Sequence, residues 1–387
     1  MLKILHCVLD EKFIDSMIEV MDLFRTRSEH NFVCLSQVEN PFNYIKQESR
    51  VKRIKNEDFL KFLNSGGFDV VFIHSLFSLH PKLITEIPRT IKVVWLAWGY
   101  DIYEPIFYNR SLIHVSQLYR PFTHLTKDVG YLANLKAVLF DIISRIRSFS
   151  LRDAWGRIDY FSGVIPSEYD MIVNDPRNSF FRAQKIEWNY FSLNSPCDEN
   201  LINSPYVDGN NIQIGNSGDP TNNHLDIMKI LRKYSLKGKN IYVPMSYGGS
   251  RTYLAIVRKY GKYLWKRNFI PLVDFLPKEQ YYKILGSSRY ALFYHERQQA
   301  MGNIYTALWN GCMVFVSETS PVYKHLQKLG FLFFTIQHDL KRIENGDKLS
   351  DEEIRCNRRI CIKNLSVTVC LERISNTLDV LAKACGK

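Results

Sequence analysis

Asn211-Ile-Gln-Ile-Gly-Asn-Ser-Gly-Asp-Pro-Thr-Asn-Asn-His224 is a short apolar run that stops at a glycine and passes through a polar turn toward a helix. The spacing predicts a strand ending at Gly215 and a helix starting near Thr221–Asn223. Asp219 or Thr221 can cap that helix by accepting a bond from a free backbone N–H. Gly215 and Gly218 allow the chain to turn sharply and to approach a ligand without a Cβ in the way. The helix start then offers free amides and the positive end of a dipole, which suits a diphosphate. The stretch is neither a GxGxxG fingerprint nor a P-loop, so its weight comes from its place in the chain. It follows a polar, Pro- and Gly-containing linker between Phe191 and Asn210, and there the pattern of the chain begins again.

On both sides of the linker, short runs rich in β-branched and aromatic residues alternate with longer amphipathic stretches. The runs before it are Lys3–Val8, Phe32–Leu35, Val70–His74, Val93–Leu96 and Phe161–Ile165. Those after it are Asn211–Gly215, Asn240–Val243, Phe269–Phe275, Tyr290–Phe293, Met313–Val316 and Phe331–Phe334. Glu11–Phe24, Asn223–Lys233, Arg251–Lys266 and Pro277–Leu285 read as helices. Such alternation builds parallel sheets covered on both faces. The expected fold class is α/β, with two Rossmann-like doubly wound domains facing each other across a cleft. Residues 1–200 form the first domain, 210–349 the second, and 350–387 a helical tail packing across both.

The bulk numbers agree with a globular chain. Of 387 residues, 46% are hydrophobic and 23% charged, enough for two cores and too apolar for disorder. No apolar run approaches the ~18–20 residues of a membrane-spanning helix. The opening Met-Leu-Lys-Ile-Leu-His-Cys-Val-Leu-Asp reads as a buried strand and not as a signal peptide. The eight cysteines make no CxxC pair and no zinc spacing, so we expect reduced core thiols in a cytosolic compartment and no metal. A formal net charge of +12 points to an anionic partner, phospholipid or a phosphorylated substrate, unless the excess lysine merely aids solubility. With no RNP, zinc-finger or basic-zipper pattern, nucleic acid is not that partner.

In open α/β sheets ligands bind beyond the carboxyl ends of the strands, so residues just after each strand carry the chemistry. In the first half these are His6, His74-Ser75 and Trp98-Gly-Tyr-Asp-Ile-Tyr-Glu104. A histidine or carboxylate there can serve as general base or hold a sugar hydroxyl, and equally each can satisfy a backbone group at a strand end. In the second half come Tyr242-Val-Pro-Met-Ser-Tyr-Gly-Gly-Ser-Arg251 and Tyr294-His-Glu-Arg-Gln-Gln-Ala-Met-Gly-Asn303. Arg297 can pair with a phosphate through its planar fork, unless Glu296 and Arg297 form a solvated pair. Gln298, Gln299 and Asn303 can bond sugar or base.

Four short motifs in this order carry a resemblance: Trp98-Gly99 with Asp101 and Tyr103-Glu104, Gly215-Asn-Ser-Gly-Asp219, Val243-Pro-Met245, and Arg297-Gln-Gln299 with Gly302. From about His6 to Tyr323 the chain resembles the 4-acetamido-4,6-dideoxygalactose (Fuc4NAc) transferases of enterobacterial common antigen synthesis, glycosyltransferase family 56. The resemblance implies a GT-B fold, a dTDP-sugar donor, an undecaprenyl-diphosphate-linked acceptor, and neither metal nor cofactor. It puts the donor against Gly215, Asn216, Ser217, Gly218, Asp219, Pro244, Met245, Tyr247, Gln298, Gln299, Gly302, Asn303 and Thr306. Asp101, His6 and His74 then stand on the acceptor side, and Arg297 meets the leaving group. Thr306 stands where many retaining GT-B enzymes carry a ribose-gripping glutamate; a thymidine nucleotide lacks the 2′-hydroxyl and tolerates a weaker ligand. His295 and Glu296 depart from the family pattern, which leaves room for an O-antigen or capsule pathway with a related sugar. A nucleotide-sugar epimerase and a non-catalytic nucleotide-sugar-binding scaffold are the competing readings.

The first half also carries a basic stretch, Lys136–Arg157, with Arg145, Arg147, Arg152 and Arg157 among apolar residues at helical spacing and with Trp155 near its end. It is either the contact with an anionic membrane surface or an ordinary core helix with a solvated basic face; the first reading makes a peripheral protein on the inner face of the cell membrane the expected location.

Overall fold

The computed structural model describes residues 1–36, 41–103, 111–115, 118–127, 152–206, 209–274, 276 and 278–387. These divide into two compact units. The first takes the described residues of Met1–His114, Leu139–Pro196 and Leu365–Lys387, the second those of Val115–Val138 and Cys197–Asn364.

In chain order the elements up to the linker are β1 (Leu2–Val8), α1 (Ile14–Asp22), β2 (Ser28–Leu35), β3 (Val51–Ile54), α2 (Phe59–Gly66), β4 (Val70–His74), α3 (Pro81–Glu86), β5 (Lys92–Leu96), α4 (Tyr100–Tyr103), α5 (Pro121–Lys127), β6 (Tyr160–Ser162), α6 (Ser167–Val173) and β7 (Gln184–Lys185). Of these, α5 belongs to the second unit. The strands form a parallel sheet in the order β3-β2-β1-β4-β5-β6-β7. Val-Val-Phe-Ile-His of β4 is buried at every position, as a central strand covered on both faces must be.

The second unit holds β8 (Asn211–Ile214), α7 (His224–Leu231), β9 (Ile241–Pro244), α8 (Arg251–Trp265), β10 (Phe269–Leu272), α9 (Lys278–Gly286), β11 (Ser288–Phe293), α10 (Met301–Trp309), β12 (Met313–Val316), α11 (Pro321–Leu329), β13 (Phe334–Thr335) and α12 (Lys341–Asn345), followed by α13 (Asp351–Leu365). Its strands run parallel in the order β10-β9-β8-β11-β12-β13, the doubly wound order of a Rossmann domain. Serines start two of its helices: Ser250 accepts from the Tyr253 amide and Ser320 from Val322, while Gly330 closes α11 with φ 82°. The last helix, α14 (Val367–Ala384), returns to the first unit, where Ile374, Leu378 and Leu381 join the core around Ile4, Val8 and Phe72. Each such burial stabilises by about 1.5–3 kcal/mol.

Each predicted strand appears within a few residues, and Val70–His74 and Met313–Val316 span the expected residues. The strand expected at Phe331–Phe334 is instead the two-residue β13, which shares only Phe334 with it. Two strands have no counterpart in the reading. They are β3, Val-Lys-Arg-Ile, and β7, a Gln-Lys pair exposed at the sheet edge, neither of which carries an apolar run to announce itself.

The membrane-facing helix expected over Lys136–Arg157 needs correction at its end; residues 136–151 lie outside the described residues. Trp155 is buried and stacked on Phe180 with ring centroids 5.8 Å apart. Arg157 is buried too, 2.8 Å from Asp159, and donates to the carbonyls of Ile87, Pro88 and Ile91. Neither faces a lipid surface. Among the described residues no helix is long and apolar enough to cross a membrane. All eight cysteines are free thiols; Cys356 is exposed, contrary to the core position expected of it, because it lies on the outer face of α13.

Candidate active site

In the second sheet the winding reverses between β8 and β11, and ligands of doubly wound sheets bind beyond the carboxyl ends at such a point. Two segments leave those ends: Gly215–Asn223 after β8 and Tyr294–Ala300 after β11. Asn222, fully buried, joins them. Its Oδ1 accepts the Asn216 amide (3.0 Å) and His295 Nε2 (2.9 Å), and its NH2 donates to the carbonyls of Ser217 (3.1 Å) and Asp219 (3.0 Å). Because Oδ1 can only accept, the His295 proton sits on Nε2. Burial first, then Arg297 and His224, hold this imidazole well below its ordinary pKa, so it is neutral.

Gln299 adds a second tie: its Nε2 donates to Asn216 Oδ1 (3.1 Å) and its Oε1 lies 2.6 Å from the Thr221 hydroxyl. Asp219 caps the short turn before α7, accepting from the Thr221 amide at 2.9 Å. Gly215 has φ 68°, and a Cβ there would stand 2.5 Å from Asn222 Oδ1.

The glycine turn nonetheless differs from an open phosphate cradle. The Gly215 amide is bonded to Leu292 O (2.8 Å), that of Asn216 to Asn222, and that of Gly218 to Tyr247 O (2.7 Å). A Cβ on Gly218 would meet Leu254 Cδ2 at 2.6 Å and Gly248 O at 2.7 Å. Gly218 is therefore required by the neighbouring Tyr247-Gly248-Gly249 loop, whatever else approaches it. The open amides lie across the switch point. There α10 begins after Ala300 (φ 63°) with no side-chain cap, and Gly302 on its first turn is exposed with nothing within 4 Å of its Cβ position.

Arg297 and Gln298 precede that helix and are buried; Arg297 Nη1 donates to Gln298 O (3.1 Å), and Gln298 Oε1 has no partner among the described residues. Glu296 does not form a solvated pair with Arg297. It is buried against Arg120 and also accepts from Ser317 (3.2 Å) and Thr319 (2.6 Å). Arg120 lies 4.6 Å over the Tyr294 ring, and its amide donates to Asn223 Oδ1 (2.8 Å). Asp226 on α7 receives the amides of Phe122 (3.0 Å) and Thr123 (2.8 Å). A stretch from the first half of the chain thus builds part of this unit. Arg120, Asn222 and Asn223 are the residues the motif reading missed, since nothing in their local pattern separates them from ordinary turn residues.

The remaining expected donor residues spread around this edge. Pro244 and Met245 are buried at the end of β9, Tyr247 is 39% exposed, and Asn303 accepts from the Tyr281 hydroxyl (2.9 Å). Thr306 turns its hydroxyl back onto the Gly302 carbonyl (2.7 Å).

In the first unit, His6, His74 and Asp101 were expected to meet substrate. All three are without exposed surface, and Glu104 lies outside the described residues. Asp101 accepts the amides of Leu76 (3.0 Å) and Trp98 (2.8 Å) and the indole N–H of Trp95 (2.9 Å). Its carboxyl is raised from the ordinary range by burial.

The histidines form a single file. An indole N–H only donates, so Trp98 at 3.0 Å turns the Tyr190 hydroxyl proton onto His74 Nδ1 at 2.6 Å. His74 Nε2 then donates to His6 Nδ1 (2.9 Å), His6 Nε2 to His30 Nδ1 (2.9 Å), and His30 Nε2 to Ser28 Oγ (2.7 Å). Burial holds His74 down at about 3 and His30 at about 4, so each ring is neutral and its tautomer is set. Another buried carboxyl went unnoticed in the sequence. Glu168 accepts the Ile165 amide (3.0 Å), and burial raises it to about 8.

The fold recurs widely among solved structures. A glycosyltransferase from Rickettsia africae superposes with TM-score 0.60 at 12% identity over 99% of each chain. Anabaena Alr3699/HepE, solved with UDP and glucose, gives 0.62 at 11% over 98% of this chain and all of its own. The lipopolysaccharide outer core galactosyltransferase WaaB gives 0.59 at 10%, over 98% and 99%. These likenesses establish the GT-B fold. Residues 182–353, from β7 of the first unit through most of the second, match the family described as 4-alpha-L-fucosyltransferase, glycosyl transferase group 56. With the fold, that match makes the chain a glycosyltransferase.

Proposed function

We propose that the chain moves a deoxy-amino sugar, Fuc4NAc or a relative, from a dTDP-sugar to an undecaprenyl-diphosphate-linked saccharide in bacterial surface polysaccharide synthesis. The observation that carries the donor half is the uncapped start of α10 at the switch point, with buried Arg297 and Gln298 beside it. Free amides, a helix dipole and a guanidinium converge where the diphosphate's charge must be met. As the sugar–phosphate bond breaks, negative charge collects on the departing nucleoside diphosphate, and stabilising that charge is the main electrostatic task. Arg297 takes this role. Asn222, Gln299 and His295 hold the two loops in register, and Glu296 with Arg120 anchors the far side.

The sugar and acceptor rest on the quoted motifs and on the family match of the second unit. In the first unit Tyr190 and Trp98 lie at the carboxyl edge as the acceptor-side surface. His6, His74 and Asp101 act as positioning residues for them: the histidine file fixes the Tyr190 hydroxyl, and Asp101 fixes the turn carrying Trp98.

The test is Arg297→Ala, with dTDP and UDP affinities measured by calorimetry and transfer to a lipid-linked saccharide acceptor measured separately. We expect dTDP to bind better than UDP, binding by the variant to stay measurable, and transfer to fall about 10²–10³-fold. Wild-type transfer by the variant, or a clear preference for UDP, overturns the assignment.

A further inference from the structure

Helix α8 carries no acidic residue, and its outward face is basic from Arg258 to its end. Arg258 and Lys262 stand one above the other at i and i+4, and Lys259 stands beneath Tyr263 in the adjoining row. Beyond the helix end, where Lys266 turns the chain with φ 50°, Lys266 and Arg267 continue the same surface. All these cations are exposed, and none has an ion-pair partner among the described residues. Parallel pairing of β9 with β10 sets the chain before β9 alongside, as the bond from Asn268 Nδ2 to Lys239 O (3.1 Å) shows. That segment brings Arg232, Lys233 and Lys237, also exposed. Glu344, which accepts the Ser235 amide at 2.9 Å, is the acid we find beside it.

Like charges at i and i+4 repel, and here no acid is interleaved to relieve them. A surface of this kind is satisfied by an extended anion. From Arg258 to Trp265 it runs about 10 Å along the helix, and the turn carrying Lys266 and Arg267 extends it, so that it is longer than one phosphate. Tyr263 rises from its middle, 77% exposed, a ring with a polar tip suited to the headgroup layer. The basic end also lies at the amino edge of the second sheet, where α8 runs into β10, so its occupation leaves the carboxyl edge of that sheet open.

We propose that this face of α8, with the neighbouring Arg232–Lys237 segment, docks the protein on an anionic lipid surface. The proposal stands independently of which sugar is transferred.

Co-sedimentation of the full chain with phosphatidylcholine vesicles, with and without phosphatidylglycerol, tests it. The wild type should pellet with the anionic vesicles and be released by salt. Reversing Arg258 and Lys262 to Glu should weaken this about 30-fold or more, since each cation near such a surface contributes about a fivefold factor. Reversing exposed Lys55 and Lys61 of the first unit makes the same change in net charge and should weaken binding much less. Equal loss in both pairs, or wild-type indifference to phosphatidylglycerol, overturns the proposal. So does tighter binding of an oligonucleotide than of the anionic vesicles at equal total charge. Thermal melting and dTDP affinity unchanged in the α8 pair show that the fold and donor site are intact.

Discussion

Asn222 is the residue whose removal should be felt most sharply, and its expected cost follows from its bonds. Asn222→Ala deletes the acceptor of the Asn216 amide and of His295 Nε2, and the donor to the carbonyls of Ser217 and Asp219. Leaving a buried polar group unpaired costs about 1–3 kcal/mol. The side chain has no exposed surface, so water reaches the four groups only if the loops part. Partial relaxation lowers the sum, and a net loss of about 3–5 kcal/mol remains, a large share of the roughly 5–15 kcal/mol that holds a typical domain. Asn222→Asp does not rescue it, because it turns an oxygen toward the Ser217 and Asp219 carbonyls and buries a charge. The assay is urea unfolding of both variants, with dTDP calorimetry on the folded fraction. An Asn222→Ala variant within about 1 kcal/mol of wild type, with its nucleotide affinity intact, would refute the view that this side chain joins the two loops.

Two more outcomes separate fold from site. Glu168→Gln should flatten a pH dependence: a carboxyl raised to about 8 from the ordinary 4.5 gives stability that is full below 4.5 and falls as pH rises through 8, while the amide has no proton to lose. Chemical unfolding at pH 5 and pH 9 should therefore show a loss of several kcal/mol in the wild type that the variant lacks, and matching losses would dismiss the burial argument. Gly218→Val should lower the melting temperature, since its Cβ meets the Gly248 carbonyl, whereas Gly302→Ala should leave melting unchanged or higher and weaken dTDP binding. A Gly302→Ala variant that binds dTDP normally would remove the first turn of α10 from the donor site.

Much of the architecture is written in local pattern. A parallel strand covered on both faces must be apolar throughout, so Val70–His74 and Met313–Val316 announce themselves. The restart at Asn211 follows from the same periodicity, and the importance of the segment Tyr294–Asn303 follows from its position after a strand. Edge strands escape this logic because they need no apolar run, and β7 is a Gln-Lys pair.

The partners were beyond reach of local pattern. Composition and spacing establish an α/β chain of two sheets, the carboxyl edges on which chemistry must sit, and the residues that border them. Which of those residues face a ligand depends on contacts between segments far apart in sequence. Arg120 reaches Glu296 across 176 positions, and Asn222 meets His295 across 73. Three histidines on three strands become one hydrogen-bonded file only because β2, β1 and β4 are neighbours. Gly218 reads as a ligand's glycine in one dimension, and in three the neighbouring Tyr247-Gly248-Gly249 loop also requires a glycine there. The physical reason is the same in each case: a buried polar group must find its partner, and the chain can supply that partner from any distance along its length.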